Sequence, residues 1–145
     1  MLPNDSGISK ELIFFLKDRL GLSDTSIFLD EYNLSNKEEN LIKEFIDLKS
    51  QGFPLDYILQ NTSFYKDDFY VDRRVLVPRP ETELLVDYIN GLNLQAGMKI
   101  LDAGTGSGCI GISIAKYNPS ITVYGIDYSL DALSLIHISE PTRPY

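Results

Sequence analysis

The residues whose types and spacing could do chemistry are concentrated in one stretch, Asp102-Ala103-Gly104-Thr105-Gly106-Ser107-Gly108, with a second carboxylate at Asp127. Glycines at alternate positions let a backbone approach a bound molecule closely. Gly106-Ser107-Gly108-Cys109-Ile110-Gly111 also satisfies G-x-G-x-x-G, and Asp127 lies where a downstream acid can hold a ribose hydroxyl. A nicotinamide or flavin dinucleotide is therefore one candidate ligand. A tight strand-to-helix turn that holds nothing is the plain alternative. An acid at the end of the next strand makes it the weaker one.

A different ligand fits the same glycines if the unit is Asp102-x-Gly104-x-Gly106-x-Gly108, which resembles the first motif of Rossmann-like methyltransferases. Charge separates the two readings. A dinucleotide lays a pyrophosphate over the glycines, and Asp102 would stand close to that anion. S-adenosylmethionine has no phosphate and brings a sulfonium and an ammonium, beside which a carboxylate is favourable. In both readings Asp127 takes the ribose. Asp102 tips the balance to the methyl donor, with Asp102, Gly104, Thr105, Gly106, Ser107, Gly108 and Asp127 as its candidate site. Cys109 has no neighbouring base and begins an apolar helix, so it reads as a small packing residue.

The elements that must position this loop follow from periodicity. Ile100-Leu101 is a short apolar strand, residues 110–115 read as a helix ended by Asn118-Pro119, and residues 121–126 form a second strand closed by Asp127. The result is a β–glycine loop–α–β unit. Before it, residues 8–20 carry Ile8, Leu12, Phe15, Leu16 and Leu20 at helical spacing, stopped by Gly21. A short helix follows Ser23, with Ile27, Phe28 and Leu29 as its apolar content. Ser35 and Glu38 form an S-x-x-E capping box ahead of a third helix, whose apolar face is Leu41, Ile42, Phe45, Ile46 and Leu48. Gly52 and Pro54 end it. After Asn61, Phe64, Tyr65, Phe69, Tyr70, Val71 and Val75-Leu76-Val77 fall in short β-prone runs, broken by Lys66-Asp67-Asp68 and Asp72-Arg73-Arg74. These predict a small antiparallel hairpin. Residues 81–90 return to helical spacing.

Composition excludes several function classes. With 43% hydrophobic and 23% charged residues over 145 positions, the chain is of ordinary globular type. The apolar cluster at residues 12–16 is too short for a signal peptide core or a membrane span. A single cysteine excludes an internal disulfide and, with the lack of a membrane segment, points to the cytoplasm. One cysteine and one histidine leave no ordinary zinc site. The net charge of −8, with basic residues scattered, argues against nucleic acid and is compatible with cationic ligands and basic protein partners.

The stretch upstream of the loop carries a sharper signal. Pro54-Leu55-Asp56-Tyr57-Ile58, Phe64-Tyr65, Phe69-Tyr70-Val71 and Val75-Leu76-Val77-Pro78-Arg79-Pro80-Glu81-Thr82-Glu83 resemble the family of peptide chain release factor glutamine methyltransferases. The resemblance spans residues 52–132 and includes Asp127-x-Ser129-x-x-Ala132. It departs from the family pattern at Asp56, at Gln60 where glycine is usual, and at Lys66-Asp67 where a glycine-containing turn is common. All three bear on the hairpin.

The family implies transfer of a methyl group from S-adenosylmethionine to the glutamine amide of the Gly-Gly-Gln motif in a release factor; the enzyme is expected to be a monomer. It implies that Arg79, Glu81 and Thr82 line the cleft near the donor. The same three residues also read as a rigid linker and a helix N-terminus with favourable acids. The family's catalytic Asn-Pro-Pro-Tyr is absent from this chain, so no residue here is assigned that role.

The expected fold class is α/β (α+β overall). A helical domain over residues 1–60 and a hairpin linker over 61–80 lead into the first β-α-β unit of a Rossmann-like class I methyltransferase domain over 81–132. Residues 133–145 read differently. Pro141 and Pro144 forbid a helix through the end, and Ile136-His137-Ile138 alternates like a strand. The string also resembles the translation of an adapter used in sequencing libraries. It is expected to be a foreign tail on a truncated gene, with an ordinary terminal loop as the alternative. A two-stranded parallel sheet would leave edges and a face uncovered, so the fragment itself is expected to be inactive. Three rivals remain: another Rossmann-like methyltransferase acting on protein or nucleic-acid amino groups, a dinucleotide-dependent oxidoreductase, and a non-enzymatic module that binds a release factor.

Overall fold

The computed structural model describes residues 6–28 and 33–139, with side chains over 10–27 and 33–137. The chain divides into two compact units, residues 1–59 and 60–145.

The first unit is helical: α1 (Ser6–Leu20), α2 (Asp24–Phe28), α3 (Asn36–Ser50) and α4 (Leu55–Leu59). α3 starts where the capping box predicts. The Glu38 amide donates to the Ser35 hydroxyl at 3.4 Å, and the Ser35 amide donates to the Glu38 carboxylate at 2.8 Å. These bonds satisfy two donors that a helix start leaves orphaned. The apolar faces of α1 and α3 meet at Phe15 and Phe45, whose rings lie 4.5 Å apart, and Leu12 and Leu59 complete the core. Lys49 and Glu11 pair across α3 and α1 at 2.7 Å. Ile46, expected on the inner face, is exposed. α4 follows Pro54 as a single short helix that the sequence reading does not distinguish. Leu29 lies outside the described residues.

The second unit opens with a hairpin, β1 (Thr62–Phe64) against β2 (Asp67–Phe69), antiparallel, with Phe64 opposite Asp67. The predicted break at Lys66-Asp67-Asp68 is corrected: only Tyr65 and Lys66 form the turn, and both aspartates belong to β2. A two-residue turn suffices because Tyr65 and Lys66 both take positive φ, 49° and 74°, the geometry that matches strand twist. The aspartates are accommodated by partners, Asp68 accepting from the Ser63 hydroxyl at 2.7 Å and Asp67 pairing with Lys116. Residues 75–77, predicted β-prone, form no strand.

A 3-10 turn at Pro80–Thr82 leads into α5 (Glu83–Asn90). Then come β3 (Lys99–Ala103), α6 (Cys109–Tyr117), β4 (Thr122–Ile126) and α7 (Leu130–Ser139). β3 and β4 pair in parallel with Asp102 opposite Gly125 and Ala103 opposite Ile126. Phe64 and Phe69 of the hairpin share one buried cluster with Val86 of α5 and Cys109 and Ile114 of α6, against which Ile100 and Val123 pack. The hairpin is therefore part of the wall behind the sheet, more than a connection. Tyr65 ties it there. Its hydroxyl donates to Asp87 at 2.8 Å and accepts from Asn90 at 3.2 Å, and its ring meets Tyr117 edge-on at 5.2 Å.

The other face of the sheet exposes Leu101, Tyr124 and Ile126. The strand-like reading of Ile136-His137-Ile138 is also corrected. α7 runs through Ser139, ahead of both prolines, and buries Ala132 and Leu135. The Ser129 hydroxyl accepts the Ala132 amide at 3.2 Å at its start. Helical spacing from Ala132 to Leu135 outweighs the alternation because that face meets the core. Residues 140–145 lie outside the described residues.

Candidate functional site

The glycine loop occupies residues 104–108, between the end of β3 and the start of α6. Gly104, Gly106 and Gly108 all take positive φ (78°, 56° and 81°), a region costly for residues with a Cβ. A Cβ added at Gly104 or Gly106 would meet nothing within 4 Å. Both positions thus carry open space on the side where a ligand can approach the backbone. The amides of Gly104 and Thr105 donate to the Ile126 carbonyl at 2.8 and 3.0 Å, which anchors the loop to the end of β4.

Two carboxylates brace this loop. The Asp102 Oδ2 accepts from the Thr105 hydroxyl at 2.7 Å and from the Gly111 amide at 3.0 Å. Gly111 lies in the first turn of α6, so Asp102 supplies the anion that this helix start attracts. A pyrophosphate in the same place would meet a carboxylate already installed. Asp127 works from the other strand. Its Oδ2 accepts from the Gly106 amide at 2.8 Å and its Oδ1 from the Ser129 amide at 2.9 Å. The Ser129 and Gly106 amides hold its carboxyl below the usual carboxylate range. Each carboxylate oxygen has a second lone pair, so Asp127 can still accept from a hydroxyl.

Of the sequence candidates, Asp102, Gly104, Thr105, Gly106, Gly108 and Asp127 come together in one hydrogen-bonded or adjoining group. Thr105 and Ser107 are buried, 5% and 2% exposed, so their side chains face the protein. Cys109 is buried with them. Burial pushes its thiol up, and the Ser107 side chain hydrogen-bonds against that. Arg79, Glu81 and Thr82 lie on the turn that enters α5, with Arg79 and Glu81 exposed. Among the described residues no hydrogen bond joins them to the loop.

Gly125 is a member that the sequence reading misses. A Cβ there would stand 3.1 Å from the Thr105 Oγ1 and 3.2 Å from its Cγ2. Its signal is a glycine inside the strand run Val123-Tyr124-Gly125-Ile126, where such a residue marks close approach of another chain segment. Among the described residues there is no group of three or more His, Cys, Asp or Glu that could hold a metal ion. No described helix is long and apolar enough to cross a membrane.

Residues 94–138, which hold β3, the loop, α6, β4 and most of α7, match the methyltransferase domain family. The chain is 40% identical over 135 residues to a release factor glutamine methyltransferase of Chlorobaculum tepidum, covering 88% of this chain and 45% of that protein. It is 50% identical over 93 residues to the one from Flavobacterium psychrophilum (61% of this chain, 32% of that protein). It is 36% identical over 116 residues to the one from Streptococcus pneumoniae (80% and 42%). The chain carries part of a methyltransferase domain. It belongs to the release factor glutamine methyltransferase family, and spans less than half the length of the curated relatives it matches.

Proposed function

We propose that this chain carries the donor-binding part of an enzyme that moves a methyl group from S-adenosylmethionine to the side-chain amide nitrogen of the glutamine in the Gly-Gly-Gln motif of a release factor. One observation supports the donor above others. The loop is open at Gly104 and Gly106 and is flanked by carboxylates from both strands, with Asp102 filling the helix start that a phosphate would need.

In this reading Gly104, Gly106 and Gly108 hold the loop's backbone against the donor. Asp127 takes a ribose hydroxyl, and Asp102 puts negative charge near the cationic methionine portion. S-adenosylmethionine supplies an electrophilic methyl on sulfur. An amide nitrogen is a weak nucleophile, so the protein's part is to orient it in line with that methyl. Asn-Pro-Pro-Tyr, which does this in the family, is not in the sequence. Arg79, Glu81 and Thr82 are assigned to the rim of the cleft, in a monomeric cytoplasmic enzyme.

The donor site is tested by calorimetry with S-adenosylmethionine on the 145-residue chain and its Asp127→Ala variant. Loss of a charged hydrogen bond should weaken binding roughly tenfold or more. Equal affinity in both would remove the ribose role from Asp127. The substrate is tested with methyl-labelled donor and a release factor, using the chain alone and the chain extended by the remaining sequence of the Flavobacterium relative. Label on the Gly-Gly-Gln glutamine with the extended chain alone is expected. Donor binding without any label would sink the substrate assignment.

A further inference from the structure

We propose that Thr105 is a positioning residue for the donor loop, one that sets how Asp102 is presented and does not itself touch the donor. This rests on the donor-site reading above. Thr105 is in the middle of the loop, yet it is 5% exposed, and its hydroxyl is spent on the Asp102 Oδ2 at 2.7 Å. Its one donor is committed there, and its burial keeps the side chain from a ligand in the cleft.

What the hydroxyl does is select an oxygen. The Asp102 Oδ2 receives both Thr105 and the Gly111 amide, whereas Oδ1 has no hydrogen bond among the described residues. The terminal torsion of an aspartate is broad and roughly two-fold, so a carboxylate with a single partner turns easily. Two donors on one oxygen fix the plane. They tie that oxygen to the loop and the helix start and leave the other for a cationic ligand.

The threonine methyl has a separate task. It stands over Gly125, where a Cβ would come within 3.2 Å of the Thr105 Cγ2, and the Thr105 amide bonds the Ile126 carbonyl at 3.0 Å. Thr105 therefore spans β3, β4 and, through Asp102, α6. Serine keeps the hydroxyl and loses the methyl. Valine keeps the shape and loses the hydroxyl.

Thr105→Val and Thr105→Ser are compared with the wild-type chain by S-adenosylmethionine calorimetry, thermal unfolding and amide hydrogen exchange at Gly111. Thr105→Val should bind roughly tenfold more weakly, the worth of one lost hydrogen bond to a charged group. It should also exchange the Gly111 amide faster. Thr105→Ser should bind close to wild type with Gly111 still protected. A purely structural role would lower the thermal midpoint of both variants without separating their affinities, and that result overturns the proposal. So does valine binding like wild type, or unchanged Gly111 protection in the valine variant. If the wild-type chain binds no donor, the donor-site reading fails instead, and Gly111 exchange alone decides whether Thr105 orients Asp102.

Discussion

The Gly106 amide donates to the Asp127 carboxylate at 2.8 Å, joining residues 21 apart in the chain. The bond runs from the middle of the glycine loop to the end of the neighbouring strand. The acid that should read a ribose is thus also part of what shapes the loop. Removing it disturbs binding in both ways.

A pH dependence follows from the same bond. Asp127 is held below its ordinary value by the Ser129 and Gly106 amides. A carboxyl with a lowered folded pKa contributes stability that is fully present above the unfolded value, about 4, and is lost as pH falls through the folded value. Thermal midpoints should therefore hold steady for this group from neutral pH to about 5 and fall below about 4. The Asp127→Asn variant should show a shallower acid limb. An identical limb in both proteins would refute the linkage.

Gly125→Ala should destabilise the second unit by about 1–3 kcal/mol, the usual cost of forcing a methyl into a filled site. The β-branched Thr105 has little freedom to retreat from a Cβ at 3.1–3.4 Å. Adding Thr105→Ser removes the Cγ2 contact and should recover part of the loss. Chemical denaturation of the single and double variants measures both numbers. No recovery would place the strain elsewhere.

The hairpin turn offers a test of backbone strain against side-chain attraction. Lys66 has a φ of 74°, and its ammonium lies 5.5 Å from the Tyr117 ring centroid and 5.7 Å from that of Tyr65. The left-handed region costs a non-glycine residue about 1–2 kcal/mol, whereas an exposed cation–π contact returns only about 0.5–1 kcal/mol. Lys66→Gly should match or exceed wild-type stability, and Lys66→Ala should fall below it. Denaturant midpoints that rank alanine above glycine would contradict the turn geometry.

In the first unit, Ser35→Ala should cost about 1 kcal/mol, because it leaves the Glu38 amide without its acceptor at the start of α3. The same change should speed amide exchange at Glu38 and leave exchange at Phe45 nearly unaltered. Equal acceleration at both would mean that the box holds the whole helix rather than its first turn.

Much of this architecture is legible in the residues themselves. The capping box at Ser35 and Glu38, the α1 and α3 faces that meet at Phe15 and Phe45, the strands around Ile100 and Val123, and the loop with its acids all carry local signatures. Local hydrogen-bonding preference and apolar spacing write such features into neighbouring residues. The sequence misleads where a local pattern competes with packing. Asp67 and Asp68 look like a break until Lys116 and Ser63 supply partners. Ile136-His137-Ile138 looks like a strand, yet Leu135 beside it is buried on a helix with no exposure at all.

By itself, then, the sequence determined that a glycine loop with two acids stands between a strand and a helix, and which family this chain joins. Only the tertiary structure decided what each atom of that loop does. Parallel pairing sets Asp102 opposite Gly125 and brings Asp127 to Gly106. Thr105 is turned inward, and both donors to Asp102, the Thr105 hydroxyl and the Gly111 amide, fall on one oxygen. The reason is physical. A hydrogen bond depends on position to a fraction of an ångström, and those positions are fixed by a strand register between residues more than twenty apart in the chain, which no local pattern encodes.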